Sequence, residues 1–201
     1  GLFACILFHE FGHSLVAMRY GYEIDSITLW LFGGVASFAE MPEDWRQEFS
    51  IAVAGPIVSV GLGAASYLAF LVLPTALDPV KFVVGYLALT NVVLAAFNML
   101  PGFPMDGGRV LRALLARNRP HAQATQIAAE VGKVFAILLG LFGLFANLFL
   151  VALAFFIYIG ASSEAQQSVM KAAFQDVTVR DVMTTGDDLD VVAAETSVGE
   201  L

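Results

Sequence analysis

Five apolar stretches, at about 1–18, 49–73, 82–100, 122–145 and 148–162, each approach the roughly 20 residues that cross the hydrocarbon of a bilayer. In lipid a spanning segment must satisfy its own backbone polar groups, so the stretches read as helices and the chain as an all-α polytopic membrane protein. Composition agrees: mean hydropathy is +0.77, with 58% hydrophobic and 14% charged residues, beyond what a soluble core requires. The apolar run from 122 to 162 is twice a span, and a division at Ala146-Asn147 is expected. The chain opens at Gly1 already inside an apolar helix, so a further helix is expected upstream.

The net charge of −8 collects at the ends of these stretches and in the tail, and gives no basis for nucleic-acid binding. One cysteine, Cys5, excludes an internal disulfide and a cysteine zinc cage. Arg109, Arg112, Arg117 and Arg119 crowd the connection after the third stretch, whereas 74–81 carries only Lys81. Basic residues favour the cytoplasmic side, so that connection and the tail after 163 are expected there, in a multi-pass protein of the cell membrane.

Within the first stretch stands His9-Glu10-Phe11-Gly12-His13. Four helical residues turn the chain about 400°, so His9 and His13 share a face and can hold one zinc ion, with Glu10 beside them to activate water. The plainer alternative, polar groups paired inside a bundle, is disfavoured by the cost of placing three of them in hydrocarbon. A catalytic zinc takes three protein ligands and keeps one position open, so the third ligand lies elsewhere. His121 follows Pro120 and is expected to be an exposed loop residue. Asp106 is the better choice: it lies in Asn98-Met99-Leu100-Pro101-Gly102-Phe103-Pro104-Met105-Asp106-Gly107-Gly108-Arg109, where prolines and glycines break a helix at membrane depth. It is also expected to cap the helix running from Arg109 to Ala116.

Other features are weighed between architecture and function. Gly33-Gly34, between Ile27–Phe32 and Val35–Phe38, reads as the two-residue turn of a membrane-associated β-hairpin, either a plug or an edge offered to an extended substrate. Gly55, Ser59 and Gly63 form a small stripe for close helix approach, with Pro56 expected in the first turn of its helix. Asn91 reads as packing, Asn98 as a group that bonds a substrate backbone or orients the site, and Glu130 with Lys133 as an intrahelical pair. Cys5 lies one turn before His9, and packing is its favoured role.

HEFGH in an apolar helix, then Ala54-Gly55-Pro56, then NMLPGFPMDGGR, resembles the site-2 protease family of intramembrane zinc metalloproteases. The resemblance covers about residues 1–165, and the family's first helix is missing from it. It implies zinc on His9, His13 and Asp106, Glu10 as general base, a substrate-positioning role for Asn98, and a membrane-associated sheet at the Gly33-Gly34 hairpin. Single-pass transmembrane proteins within the lipid bilayer would be the substrates. The segment from Phe174 to Thr184 resembles the opening of a CBS domain, an α+β module that often binds adenosine nucleotides. The expected organisation is therefore a protease core at 1–165, a linker at 166–174 and a CBS-like beginning at 175–201. A zinc or other ion transporter using the same ligands is the rival from another class, although a single helix break at 101–108 fits it poorly. An inactive membrane scaffold is the third reading.

Overall fold

The computed structural model describes residues 1–30, 33–38 and 44–174. Their order is α1 (Leu2–Arg19), β1 (Ile24–Trp30), β2 (Gly33–Phe38), α2 (Trp45–Val72), a 3-10 turn at Thr75–Leu77, α3 (Asp78–Asn98), α4 (Asp106–Ala116), α5 (His121–Ala146) and α6 (Leu148–Phe174). The CBS-like tail at 175–201 lies outside the described residues.

The helix ends have local causes. The Asp44 carboxylate accepts from Arg46 N at 2.8 Å and starts α2. Proline cannot continue a helix that needs its N–H, and α3 stops ahead of Pro101 while α5 begins directly after Pro120. Asn147 alone separates α5 from α6: its N–H donates to Gly143 O at 2.9 Å and its Oδ1 accepts from Phe149 N at 2.8 Å. One asparagine thus ends one helix and caps the next, and the expected division at Ala146-Asn147 is present. The two helices run antiparallel, with Gly140 facing Ala154 and Gly143 facing the Leu150–Val151 backbone.

Packing is inverted relative to a water-soluble protein. The interior is small and includes Ala17, Ala113, Ala124, Ala128, Ala129 and Ala161, each fully buried. Large apolar side chains point outward, Phe145 being 92% exposed and Val72 81%. When lipid is the surrounding solvent, burying a large hydrophobe brings little, and helices associate through close backbone approach at small residues. Helix α2 is the hub, packed against α1, α3 and α4, while α4 leans on α5 and α5 on α6.

Four described helices are long and apolar enough to cross a membrane: α2, α3, α5 and α6. The expectation of five counted α1, whose 18 residues are interrupted by His9, Glu10, His13 and Arg19. Helix α1 keeps an apolar outer face of Phe3, Phe8, Phe11, Leu15 and Met18, and turns His9, Glu10, His13 and Ser14 inward.

Three further expectations are corrected. Pro56 is about three turns inside α2 rather than in its first turn, because the helix starts with the polar Trp45-Arg46-Gln47-Glu48, which an apolar-stretch reading leaves out. Residues 166–174, expected as a linker, continue α6 as helix. Gly33 and Gly34 are not the hairpin turn: they open β2, opposite Trp30 and Leu29. The connection falls at 31–32, outside the described residues. Val35 pairs with Thr28, four residues before the Phe32 that a turn at Gly33-Gly34 demands. An even shift leaves the period-two alternation of side chains unchanged, so the pattern alone could not separate the two registers. The two strands pair antiparallel and pack along α1.

Candidate metal centre

Helical spacing turns His9 and His13 to one inward face of α1, where they are 2% and 6% exposed. Two close approaches let α2 reach them. Gly12 lies over the Ala54 carbonyl and Val58, and Gly55 lies directly under the His13 imidazole, where no side chain would fit. From this distance α2 bonds both rings. His13 Nδ1 is 2.7 Å from Ile51 O, and because a carbonyl only accepts, Nδ1 carries the proton. His9 Nδ1 is 2.9 Å from Ser59 Oγ. Both Nδ1 atoms thus face α2, and both Nε2 atoms face the interior.

The third group arrives from the break between α3 and α4. Phe103 in that loop is fully buried against Ala128, Ala129 and Ala161. Gly102 sits on Gly132 of α5 so closely that a Cβ would stand 2.6 Å from its backbone. The loop is thereby seated on α5 and delivers Asp106, the first residue of α4. Met105, not Asp106, occupies the cap position, which corrects the capping expectation and leaves the carboxylate for the interior.

Asp106 Oδ2 lies 3.0 Å from His9 Nε2 and 3.2 Å from His13 Nε2, and the two Nε2 atoms are 3.2 Å apart. With zinc-ligand distances of about 2.0–2.1 Å, a tetrahedral site separates its ligand atoms by about 3.3 Å, so the three atoms match one face of such a site. The chemistry matches too: two imidazole nitrogens and a carboxylate oxygen are the donor set a zinc ion takes. His9, His13 and Asp106 are the group among the described residues able to hold a metal ion. Glu10 is buried beside them and interacts electrostatically with all three, but supplies no atom to the cluster.

The remaining sequence candidates fall elsewhere. Asn98 Nδ2 donates to Leu94 O of its own helix at 3.1 Å. Asn91 Nδ2 donates to Cys5 Sγ at 3.1 Å and Leu87 O at 2.9 Å, joining α3 to α1 and giving Cys5 a packing partner. Glu130 and Lys133 pair at 2.8 Å. His121 opens α5 rather than lying in a loop, and its Nε2 is 3.5 Å from Glu48 Oε2, because the polar start of α2 reaches that helix end.

Reading the sequence for architecture missed Ser59 and Gly55. The signal was present: Gly55 and Ser59 repeat at the four-residue spacing of His9 and His13, so the two stripes can mesh residue for residue. Ser59→Ala removes the hydrogen-bond partner that orients the His9 ring, and zinc affinity is expected to fall roughly 10–100-fold, as for other outer partners of zinc-bound histidines. Competition with a chelating dye measures it, and unchanged affinity would make Ser59 a packing residue only.

The profile of peptidase family M50 matches residues 1–76 and 74–139, stopping short of the CBS-like tail. A zinc metalloprotease of Methanocaldococcus jannaschii is 38% identical over 189 residues, covering 91% of this chain and 53% of its own. Stage IV sporulation protein FB of Bacillus subtilis is 28% identical over 145 residues, or 72% of this chain and 49% of its own. The solved structure of a site-2 protease from Methanocaldococcus jannaschii superposes with a TM-score of 0.68 at 37% identity, covering 82% of this chain and 75% of that one. The chain spans about half the length of the curated relatives it matches.

Proposed function

The chain belongs to peptidase family M50, and from that membership we propose that it is the catalytic core of a zinc-dependent endopeptidase that cleaves transmembrane segments of membrane-protein substrates. One observation carries the reading: three candidate ligand atoms from two distant segments converge within 3.2 Å, with the buried Glu10 next to them.

Zinc, when bound, supplies Lewis acidity that polarises a peptide carbonyl and makes water a competent nucleophile at neutral pH. His9, His13 and Asp106 would hold it. Glu10 would take a proton from the attacking water and deliver it to the leaving amine, the general-base and general-acid roles of one carboxylate. A buried carboxylate suits this, because the surroundings exclude competing bulk water while the histidines and Asp106 fix where charge resides.

A substrate helix bonds its own carbonyls, so it must unwind before attack. The β1–β2 sheet lies along α1, the helix of the motif, and a two-stranded sheet keeps unpaired backbone at its edges that an extended segment can bond. Gly33 and Gly34 in β2, and Asn98 at the end of α3, are the groups we assign to holding it. The distribution of basic residues supports a cytoplasmic placement for the four-arginine connection and an external one for 74–81. Cysteines at Asn118 and Thr75, in a Cys5→Ser background, should label from opposite sides of a sealed vesicle; labelling from the same side contradicts the placement.

Zinc stoichiometry, measured together with cleavage of a reconstituted single-pass substrate, tests the function. His9→Ala, His13→Ala and Asp106→Ala should each fall well below one zinc per chain and lose cleavage. Full zinc content in Asp106→Ala would displace the third ligand, and cleavage without zinc would refute the mechanism.

A further inference from the structure

The most thoroughly buried pair of opposite charges described is not at the metal cluster. Glu48 of α2 and Arg112 of α4 are each 4% exposed. Arg112 Nε donates to Glu48 Oε1 at 2.5 Å, and a terminal guanidinium nitrogen reaches the same oxygen at 2.5 Å. A second terminal nitrogen lies 3.9 Å from Glu164 Oε2 on α6, and the guanidinium carbon stands 5.0 Å from the centre of the Phe103 ring. Buried ion pairs recover little more than the cost of desolvating them, so net stability is a poor account of this one. Its position in the fold gives a better account.

The metal cluster has two halves, carried by different helices. The histidines stand on α1, and α1 packs on α2, which fixes them through Ile51 O and Ser59 Oγ. Asp106 stands on α4, and α4 packs on α2 as well. The α2–α4 contact therefore helps set the separation of the aspartate from the histidines, together with the seat of the delivering loop on α5. The pair crosses that contact close to both halves: Glu48 is one turn before Ile51, and Arg112 covers Phe103, three residues before Asp106 in the loop that delivers it.

We propose that Glu48 and Arg112 are positioning residues that hold α4 at the spacing where Asp106 Oδ2 meets both Nε2 atoms. The guanidinium suits the task because its planar fork fixes direction as well as distance, while its face covers the Phe103 ring. His121, at the start of α5, stands 3.5 Å from the other Glu48 oxygen. The inference rests on reading the cluster as a zinc centre, and the experiment separates the two.

Zinc affinity of the full chain in detergent is measured by chelator competition, and cobalt(II) absorption reports coordination geometry. Glu48→Gln and Arg112→Lys keep the size of the pair while removing its charge match or its fork. Each is expected to weaken zinc binding roughly 10–100-fold, the usual cost of an outer partner, and to change the cobalt bands. Combined, they should lose less than the product of the single losses, because both break one link. Glu130→Gln, at the exposed pair with Lys133, should match wild type. Single-variant affinities within about twofold of wild type with unaltered cobalt bands would overturn the proposal, even if melting temperatures fall. A wild-type chain that binds no zinc overturns the metal reading instead, and the positioning role with it.

Discussion

Glu10→Gln is expected to keep its zinc while cleavage falls by about 10²–10⁴-fold, the range associated with general-base catalysis. The substitution is nearly isosteric, and Glu10 gives no atom to the cluster of His9, His13 and Asp106, so the metal should not register the change. What disappears is the carboxylate beside the cluster assigned to move the proton. Helical geometry sets Glu10 about 100° round α1 from His9, enough to keep it out of the ligand set yet adjacent to it. The same variant separates a protease from a transporter that uses these ligands for transit: ion flux needs His9, His13 and Asp106 and would change little in Glu10→Gln. Zinc stoichiometry and cleavage measured on one preparation decide it. Near-normal cleavage by Glu10→Gln would sink the assignment, and joint loss of zinc and cleavage would make Glu10 a ligand.

His9, His13 and Asp106 were legible in the chain because each depends on a local rule: helical periodicity pairs the histidines, and clustered proline and glycine mark where a helix must break. The division at Asn147 was legible for a similar reason, since the length of a span bounds the length of a helix. Relations between elements were not. That Ser59 meets His9, that Ile51 lends a carbonyl to His13 and that Glu48 reaches Arg112 across 64 positions all depend on how α1 and α4 seat on α2, which no periodicity encodes. The strand register was hidden by its own symmetry, because pairings that differ by an even number of residues present the same faces. The early start of α2 was hidden by its composition: Asp44 begins a polar first turn that is as helical as the apolar run after it.

Gly55→Ala is expected to lower cleavage by about 10²-fold or more, with zinc affinity falling alongside it, although alanine is the better helix former by about 1 kcal/mol. Propensity and site geometry have opposite signs here, and geometry should dominate. A Cβ at 55 would fall within the His13 imidazole, contacting Nε2, Cε1 and Cδ2 of the ring that carries the ligand atom. Either α1 lifts from α2 or the ring swings away, and both break the 2.7 Å bond from Nδ1 to Ile51 O and move Nε2 out of the cluster. The backbone cannot absorb the strain easily, since Pro56 follows and the helix is packed on α1 and α4 along this face. Gly61 in the same helix provides the comparison: a Cβ there meets nothing within 4 Å, so Gly61→Ala should leave zinc affinity and cleavage unchanged. A Gly55→Ala protein that binds zinc and cleaves like Gly61→Ala would show that α1 and α2 do not approach as closely as described. The expected split between two glycines six residues apart tests the interhelical contact itself, independently of which residue acts as base.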